Sequence, residues 1–417
     1  MTFSVISPPT CIMKILGFIM MMMITGSVFS EAGVYNVLNY GATSYNKGDS
    51  SNAFLKAWNL ACAESGKPTI LIPEKWTFLV YPVNFQGPCK AKNVVFMLSG
   101  TIVAPELPSV WKGRDTSKWL IFGGVNGLIV DGYGVIDGRG KGWWDQSCKH
   151  NTWKGCTSLA PTAISFHGCN DSTVKNIHIT NSAQVHMYLG RLRDFGVDNI
   201  KIQAPWWTPN TDGIHIQASS NLGISNSVIG SGDDCISVGD YTSNVWISKI
   251  SCGPGHGISI GSLGKDSNFV QVSGIHVSDS YFDRTTNGAR IKTWQVGRGY
   301  AQDITFKNLQ FYKVRNPIII DQNYCDVRND CKEQVTGVKI RNVTYSTLYG
   351  TSDTDIAINL KCSKSVPCSE IWMDNIHLAN AVTGKQVTAS CYNAYGREFD
   401  VVPGHCLLKS APTTSGL

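Results

Sequence analysis

The sequence predicts an all-β chain wound into a parallel β-helix, a solenoid of stacked strands with a short helix capping its N-terminal end. Three observations predict it. A strand-like motif recurs along most of the chain. The composition suits short strands and tight turns, since 41 of 417 residues are Gly and only 16% are charged, whereas long helices are rich in Glu, Lys and Ala. Finally, polar clusters interrupt the chain at intervals close to those of the motif, as they would if each sat on its own coil.

The elements follow in chain order. Lys14 precedes an apolar run from Ile15 to Phe29, with small residues Ser27 and Ser30 near its end. This is the pattern of a secretory leader, so residues 1–30 are expected to be removed, with Met13 as an alternative start. As a membrane span the run is short, and no later segment is long and apolar enough for one. Residues 31–417 have no Pro/Ser-rich linker and read as a single domain. Within residues 50–65, Ala53-Phe-Leu-Lys-Ala-Trp-Asn-Leu-Ala61 is an amphipathic helix pattern suited to covering the open core of a solenoid.

The repeat itself is apolar–x–(Asn/Ser/Gly)–apolar–x–apolar. It appears as Val174-Lys-Asn-Ile-His-Ile179 and Val197-Asp-Asn-Ile-Lys-Ile202, and with drift from Ile224, Ile247, Val272, Phe306, Ile340 and Met373. The intervals are 23, 27, 23 and 25 residues, then 34, 34 and 33. Each copy alternates as a strand does and none sustains a helical period. Inward Ile and Val would fill the core, while buried Asn176 and Asn199 would stack at turns. An antiparallel β-sandwich also has alternating strands, but it gives no reason for polar clusters to keep step with them.

Fourteen Cys without a CxxC pair point away from zinc ribbons and thioredoxin-like motifs and towards an oxidising compartment. Cys148/Cys156, Cys325/Cys331 and Cys362/Cys368 read as small disulfide loops, and Cys391/Cys406 and Cys235/Cys252 as larger ones. Leader removal takes Cys11 and leaves an odd number, with Cys169, flanked by apolar strand residues, expected to be a buried free thiol. Asn170 and Asn342 stand in glycosylation sequons. The net charge of +6, without a long Lys/Arg run, gives no support to nucleic-acid binding. It is compatible with a groove for an acidic polymer.

The polar clusters are Asn210-Thr-Asp212-Gly, Gly232-Asp233-Asp234-Cys, Gly255-His256-Gly257 and Arg290-Ile-Lys292. Asp212 to Asp234 and Asp234 to His256 are steps of 22 residues; His256 to Arg290 and Arg290 to Tyr324 are steps of 34. Each cluster alone is an ordinary turn or strand face. In step with the coils, they stack into one patch. Arg290 and Lys292, two apart on a strand, point to the same side. Three neighbouring carboxylates cannot all ionise cheaply, so at least one is pushed towards the protonated form. An acid beside carboxylate bases is what glycoside hydrolysis requires, and Arg290 with Lys292 suits a substrate that carries carboxylates. Trp206, Trp207 and Trp294 read either as sugar-stacking or as packing residues. Gln184 and His186 are further candidates for the groove wall.

At these clusters the chain resembles the polygalacturonases, the pectin-cutting members of glycoside hydrolase family twenty-eight. Asn-Thr-Asp, Gly-Asp-Asp, Gly-His-Gly and Arg-Ile-Lys occur in order, and the surrounding strings, with Pro317-Ile-Ile-Ile-Asp-Gln-Asn-Tyr-Cys325, look like plant members. The resemblance runs from Val34 to about residue 406. It implies a right-handed parallel β-helix and metal-free, cofactor-free, inverting hydrolysis of α-1,4-galacturonosyl linkages in homogalacturonan. Asp233 would be the general acid. Asp212 and Asp234 would activate water, and His256 would support the acid's proton. Arg290, Lys292, Tyr324 and Asn210 would bind substrate. The implied enzyme is a secreted, cell-wall monomer, probed best as an endo-acting hydrolase with exo action as the alternative. Further alternatives are a rhamnogalacturonan hydrolase, which typically lacks this His, a calcium-dependent lyase, and a silent wall-binding protein, which would be expected to have lost an aspartate.

Overall fold

The computed structural model describes residues 1–2, 33–149, the backbone of His150, and residues 160–325, 331–332 and 334–409. Residues 3–30 of the expected leader and Cys156 therefore lie outside the described residues, and the pairing proposed for Cys148 with Cys156 is not described. The described residues from Gly33 onward lie in one compact unit. Among the described residues no helix is long and apolar enough to cross a membrane.

The chain forms a right-handed parallel β-helix, the hand that parallel strand connections take. Every ladder between named strands is parallel, which removes the sandwich alternative. Eleven strands, from Val83–Gln86 to Thr388–Tyr392, stack into the sheet that carries the groove. An 18-stranded sheet wraps the rest of each coil. There, early coils use two short strands, such as Ser172–Lys175 and His178–Thr180, and later coils one long bent strand, such as Phe269–Asp283.

The bend has a sequence cause. Asn176, Asn199, Asn226, Lys249, Asp279, Asn308, Thr347, Asn375 and Asp400 all have positive φ near +50°, a conformation that Asn and Asp tolerate better than most side chains. They fall in one column. Asn199 Nδ2 donates to Asn176 Oδ1 at 2.7 Å, and Asn308 Nδ2 to Asp279 Oδ1 at 2.7 Å. The expected Asn stack thus exists, but at the surface rather than buried, with Asn199 exposed. The coil register also differs from the sequence reading. Ile247 pairs with Val277 and Phe306 with Tyr345, so Val272 and Ile340 each lie five residues before the true partner. Both belong to the same strands as those partners, where a second alternating stretch imitates the motif.

Inside, Phe85, Phe122 and Phe166 occupy one register position, with centroids 4.8 and 5.3 Å apart, and Leu189, Ile216, Val238 and Ile260 continue the column. The expected helix spans Ser51–Ala63. Its Trp58 sits 5.2 Å from Phe85 and donates Nε1–H to the Gln86 carbonyl, so the end of the aromatic column is covered by apolar surface and not by water. Disulfides join Cys235–Cys252, Cys325–Cys331, Cys362–Cys368 and Cys391–Cys406 as expected, and Cys62–Cys89 in addition. Cys169 is a buried free thiol.

Candidate active site

The groove sheet positions the site through two register columns. Ile214, Ile236 and Ile258 pair directly and point into the core. Two residues before them stand Asp212, Asp234 and His256, so the 22-residue steps are true coils. One residue after them stand His215, Ser237 and Ser259, which pair in turn with Arg290. Arg290 is therefore level with Ser259, at a separation of 31, and Asn287 occupies the place level with His256. The 34-residue steps are not coils. Tyr324 pairs with Trp294 across a register shift, not with Arg290. The expectation of one shared column through Arg290 and Tyr324 is corrected accordingly, although both residues still reach the groove.

The side chains form two linked clusters. Asp234 is nearly fully buried, at 1% exposure. Arg290 Nη2 donates to its Oδ1 at 2.5 Å, Ser259 Oγ donates to the same oxygen at 2.9 Å, and Lys292 Nζ donates to Oδ2 at 2.9 Å. Arg290 Nε donates to Ser259 Oγ at 2.7 Å, fixing that hydroxyl. Asp212 Oδ2 accepts from Ser237 Oγ at 2.7 Å, and the same hydroxyl lies 2.7 Å from His215 Nδ1. Asp233 stands between. Its Oδ1 is 3.0 Å from His256 Nδ1, and its Oδ2 is 3.3 Å from Lys149 Nζ, which comes from outside the sheet. Lys292 also lies 5.3 Å from the centre of the Tyr324 ring.

Asp212, Asp233, Asp234, His256, Arg290, Lys292, Tyr324 and Asn210 thus line one cavity. Sequence reasoning missed His215, Ser237, Ser259 and Lys149. For three of these a signal existed: Asp212-Gly-Ile-His215, Asp234-Cys-Ile-Ser237, His256-Gly-Ile-Ser259 and Asn287-Gly-Ala-Arg290 share a polar–small–apolar–polar pattern. Among the weaker candidates, Gln184 lines the groove, whereas His186 does not. His186 is fully buried, hydrogen-bonding the Asp212 carbonyl through Nδ1 at 3.1 Å and accepting from Ser182 N through Nε2. Trp207 packs edge-on against Trp144 at 5.6 Å, while Trp206 is 72% exposed beside His256.

Electrostatics divide the carboxylates. Burial, then the charges of Asp233 and Asp234, push the Asp212 carboxyl up to about 7. Burial also pushes Asp233 up, but the hydrogen bond and charge of His256, followed by Lys149 and Lys292, outweigh it and hold Asp233 well below the usual carboxylate range. The site keeps one carboxyl protonated, as three crowded acids require. In the free groove the surroundings drive Asp212 towards its protonated form and Asp233 towards its ionised form. Burial lowers both His215 and His186 to about 4, so both rings are neutral well above that pH.

Asp233, Asp234 and His256 present atoms within 4.8 Å of one another, a spacing a metal ion would accept. The carboxylate oxygens are already engaged by Arg290, Lys292 and Lys149, and His256 Nδ1 by Asp233, and the three cations would repel a metal ion. The same spacing brings Asp233 and Asp234 closer than the ~6.5–9.5 Å of inverting carboxyl pairs.

Fold and site together fit a glycosidase: a cluster of carboxylates and buried cations in a groove along a parallel β-helix. Comparison agrees. Residues 62–399 match glycosyl hydrolases family 28, and the chain belongs to that family. A polygalacturonase of Malus domestica is 43% identical over 387 residues, covering 92% of this chain and 82% of that one. An endo-xylogalacturonan hydrolase from Aspergillus tubingensis superposes with a TM-score of 0.74 at 22% identity, over 87% of this chain and 96% of that one. An exopolygalacturonase from Thermotoga maritima gives 0.67 at 19% identity, over 83% and 88%. At such identities the two structures speak for the fold alone.

Proposed function

We propose that the protein hydrolyses α-1,4-galacturonosyl linkages of homogalacturonan in the extracellular cell wall, in endo fashion and, although the nearest oxygens of Asp233 and Asp234 stand closer than the carboxyl pairs of inverting enzymes, with inversion. The observation that carries this is the Arg290–Lys292 pair against Asp234, with Asp233 and Asp212 beside it in one open groove. The cations recognise a uronate carboxylate, and the crowded carboxylates supply acid and base. In this reading Asp233 protonates the leaving oxygen, supported by His256. Asp212 and Asp234 orient and deprotonate water. Asn210 and Tyr324 flank the sugar. The raised Asp212 carboxyl favours a second assignment, in which Asp212 is the proton store that supplies the acid.

Endo action is supported by the groove's length. The cavity around Asp233 shares Asn210, Asp212 and His215 with a second that runs on to Lys118. The polar Arg290 and Lys292 lie on the other side of Asp212, so a chain can extend both ways. Disulfides support an oxidising, extracytoplasmic location. The test is reducing-end release from de-esterified polygalacturonate, with product lengths, ultraviolet absorbance of unsaturated ends and the anomer first released. Mixed oligomers with β-anomeric ends and no absorbance support the proposal. Monomer alone makes it an exo enzyme, absorbance makes it a lyase, retained α-anomers exclude inversion, and no release from folded protein refutes the substrate.

A further inference from the structure

Beyond the carboxylate cluster, the groove continues towards the N-terminal end of the solenoid. Lys118 pairs with Thr162, and the ladders from there carry the same level through Val185 to Asp212. Lys118 thus stands three coils from Asp212, about 14 Å at a parallel spacing of ~4.8 Å. The floor between them is Ser165, Tyr188 and His215, in direct register. The Tyr188 and His215 rings stack at 5.7 Å with planes 27° apart, and His167 adds a third ring 5.1 Å from Tyr188. Among the described residues that line this arm, Asp212 is the sole carboxylate and Lys118 the sole Lys or Arg.

We propose that this arm is a binding site for a galacturonate unit several sugars from the cleavage point, with Lys118 receiving its carboxylate and the Tyr188–His215 floor carrying the chain between. The inference rests on the functional reading above. A 1,4-linked pyranose advances by close to the interstrand distance, so a chain laid along the axis brings a later carboxylate to the third coil. In the free protein Lys118 pairs with Asp115 at 3.2 Å, but both are substantially exposed, at 40% and 59%. Such a pair holds little free energy and exchanges readily for a bound carboxylate. Asp115 has other partners, accepting from the Ser117 amide at 2.9 Å and the Ser117 hydroxyl at 2.5 Å, so it does not depend on Lys118. His167 completes the wall; burial, then Lys118 and Arg191, lower its pKa and so favour the uncharged ring.

The experiment compares Lys118→Ala and Lys118→Arg with the parent on galacturonate dimer, hexamer and polymer, for turnover and, in an Asp233→Asn background, for binding by calorimetry. Lys118→Ala is expected to weaken hexamer and polymer binding roughly three- to fivefold, as loss of one exposed charge contact does, with kcat kept, dimer binding unaltered and Lys118→Arg near the parent. Unaltered hexamer binding, or an equal loss for dimer and hexamer, overturns the proposal. Parent protein that binds hexamer more tightly than dimer through Lys118 yet cuts neither would sink the hydrolase reading and keep the site; parent protein that binds neither sinks both.

Discussion

Lys149 is the residue through which the proton balance of the site is most directly tested. It lies outside all recognised motifs and places Nζ 3.3 Å from Asp233 Oδ2. At that distance an effective dielectric of 20 gives a ceiling of about 5 kcal/mol. Lys149 is half exposed, with its side chain at 50%, so screening brings the contribution to about 0.5–1 kcal/mol. That corresponds to roughly 0.4–0.7 of a pKa unit on Asp233. Lysine favours the ionised carboxylate, so Lys149→Gln raises Asp233 towards its ordinary value. If Asp233 delivers the proton, its protonated fraction at a given pH above its pKa rises about two- to fivefold. The expected result is a kcat increase of that order, a basic limb of the kcat profile displaced upward by about half a unit, and a higher KM from the lost cation. The assay is initial-rate reducing-end release at saturating polygalacturonate from pH 3 to 8. A lower kcat with an unmoved basic limb would refute the reasoning and leave Lys149 a simple substrate contact.

Three other outcomes follow from the same geometry. Asp233→Asn keeps the shape of the side chain and removes the proton, so turnover should drop by about 10²–10⁴, and the folded variant should melt somewhat lower at neutral pH because His256 and Lys149 favour the charged side chain; full activity would refute the role. Lys292→Ala should raise KM, as expected of a uronate ligand, but it should also lower the melting temperature, because Lys292 is buried at 7% exposure against Asp234 and its loss leaves that carboxylate to Arg290 and Ser259; an unchanged melting temperature would deny it a structural part. Asp212 keeps its proton in the folded chain up to about pH 7 but loses it near pH 4 when unfolded. The folded state therefore binds more protons across that window, and stability falls as pH rises through it. Asp212→Asn should abolish this fall, opening a gain in melting temperature between about pH 4 and 7 that stays constant above; a gain independent of pH would contradict the assignment.

The fold was largely legible because a solenoid repeats its local chemistry. Apolar alternation and turn-forming Asn recur where the coil bends, and a capping helix announces itself by a single amphipathic stretch. Register was less legible because loops between strands vary in length. Ile247 to Val277 and Phe306 to Tyr345 cross such insertions, so equal sequence intervals at Val272 and Ile340 arose from a neighbouring stretch of the same long strands. The same effect made the steps to Arg290 and Tyr324 look like coils. His186 was unreadable for another reason: polarity suggests a wall position, yet a neutral imidazole with both nitrogens bonded is cheap to bury. Lys149 sits on no strand of the groove sheet, and no periodicity points to a residue that reaches the site from outside it.

The site's charges can be counted from its contacts. Asp234 has two cations and a hydroxyl. Asp233 has Lys149 and His256. Asp212 has the Ser237 hydroxyl, a more distant attraction to Lys292 and the repulsion of the other two acids. The proton therefore settles on Asp212 in the free groove, because it is the carboxylate with no cation in contact. A bound uronate alters this balance. Its carboxylate draws on Arg290, Lys292 or Lys149, each of which presently steadies an aspartate, and every share it takes from the cations around Asp233 makes ionisation of Asp233 more costly. Substrate charge thus moves Asp233 in the direction that the proposed role as acid demands. A neutral, methyl-esterified chain brings no such charge and leaves Asp233 ionised. Preference for the free acid over its ester should consequently appear in kcat as well as in KM, whereas cations that served only to hold the polymer would confine it to KM.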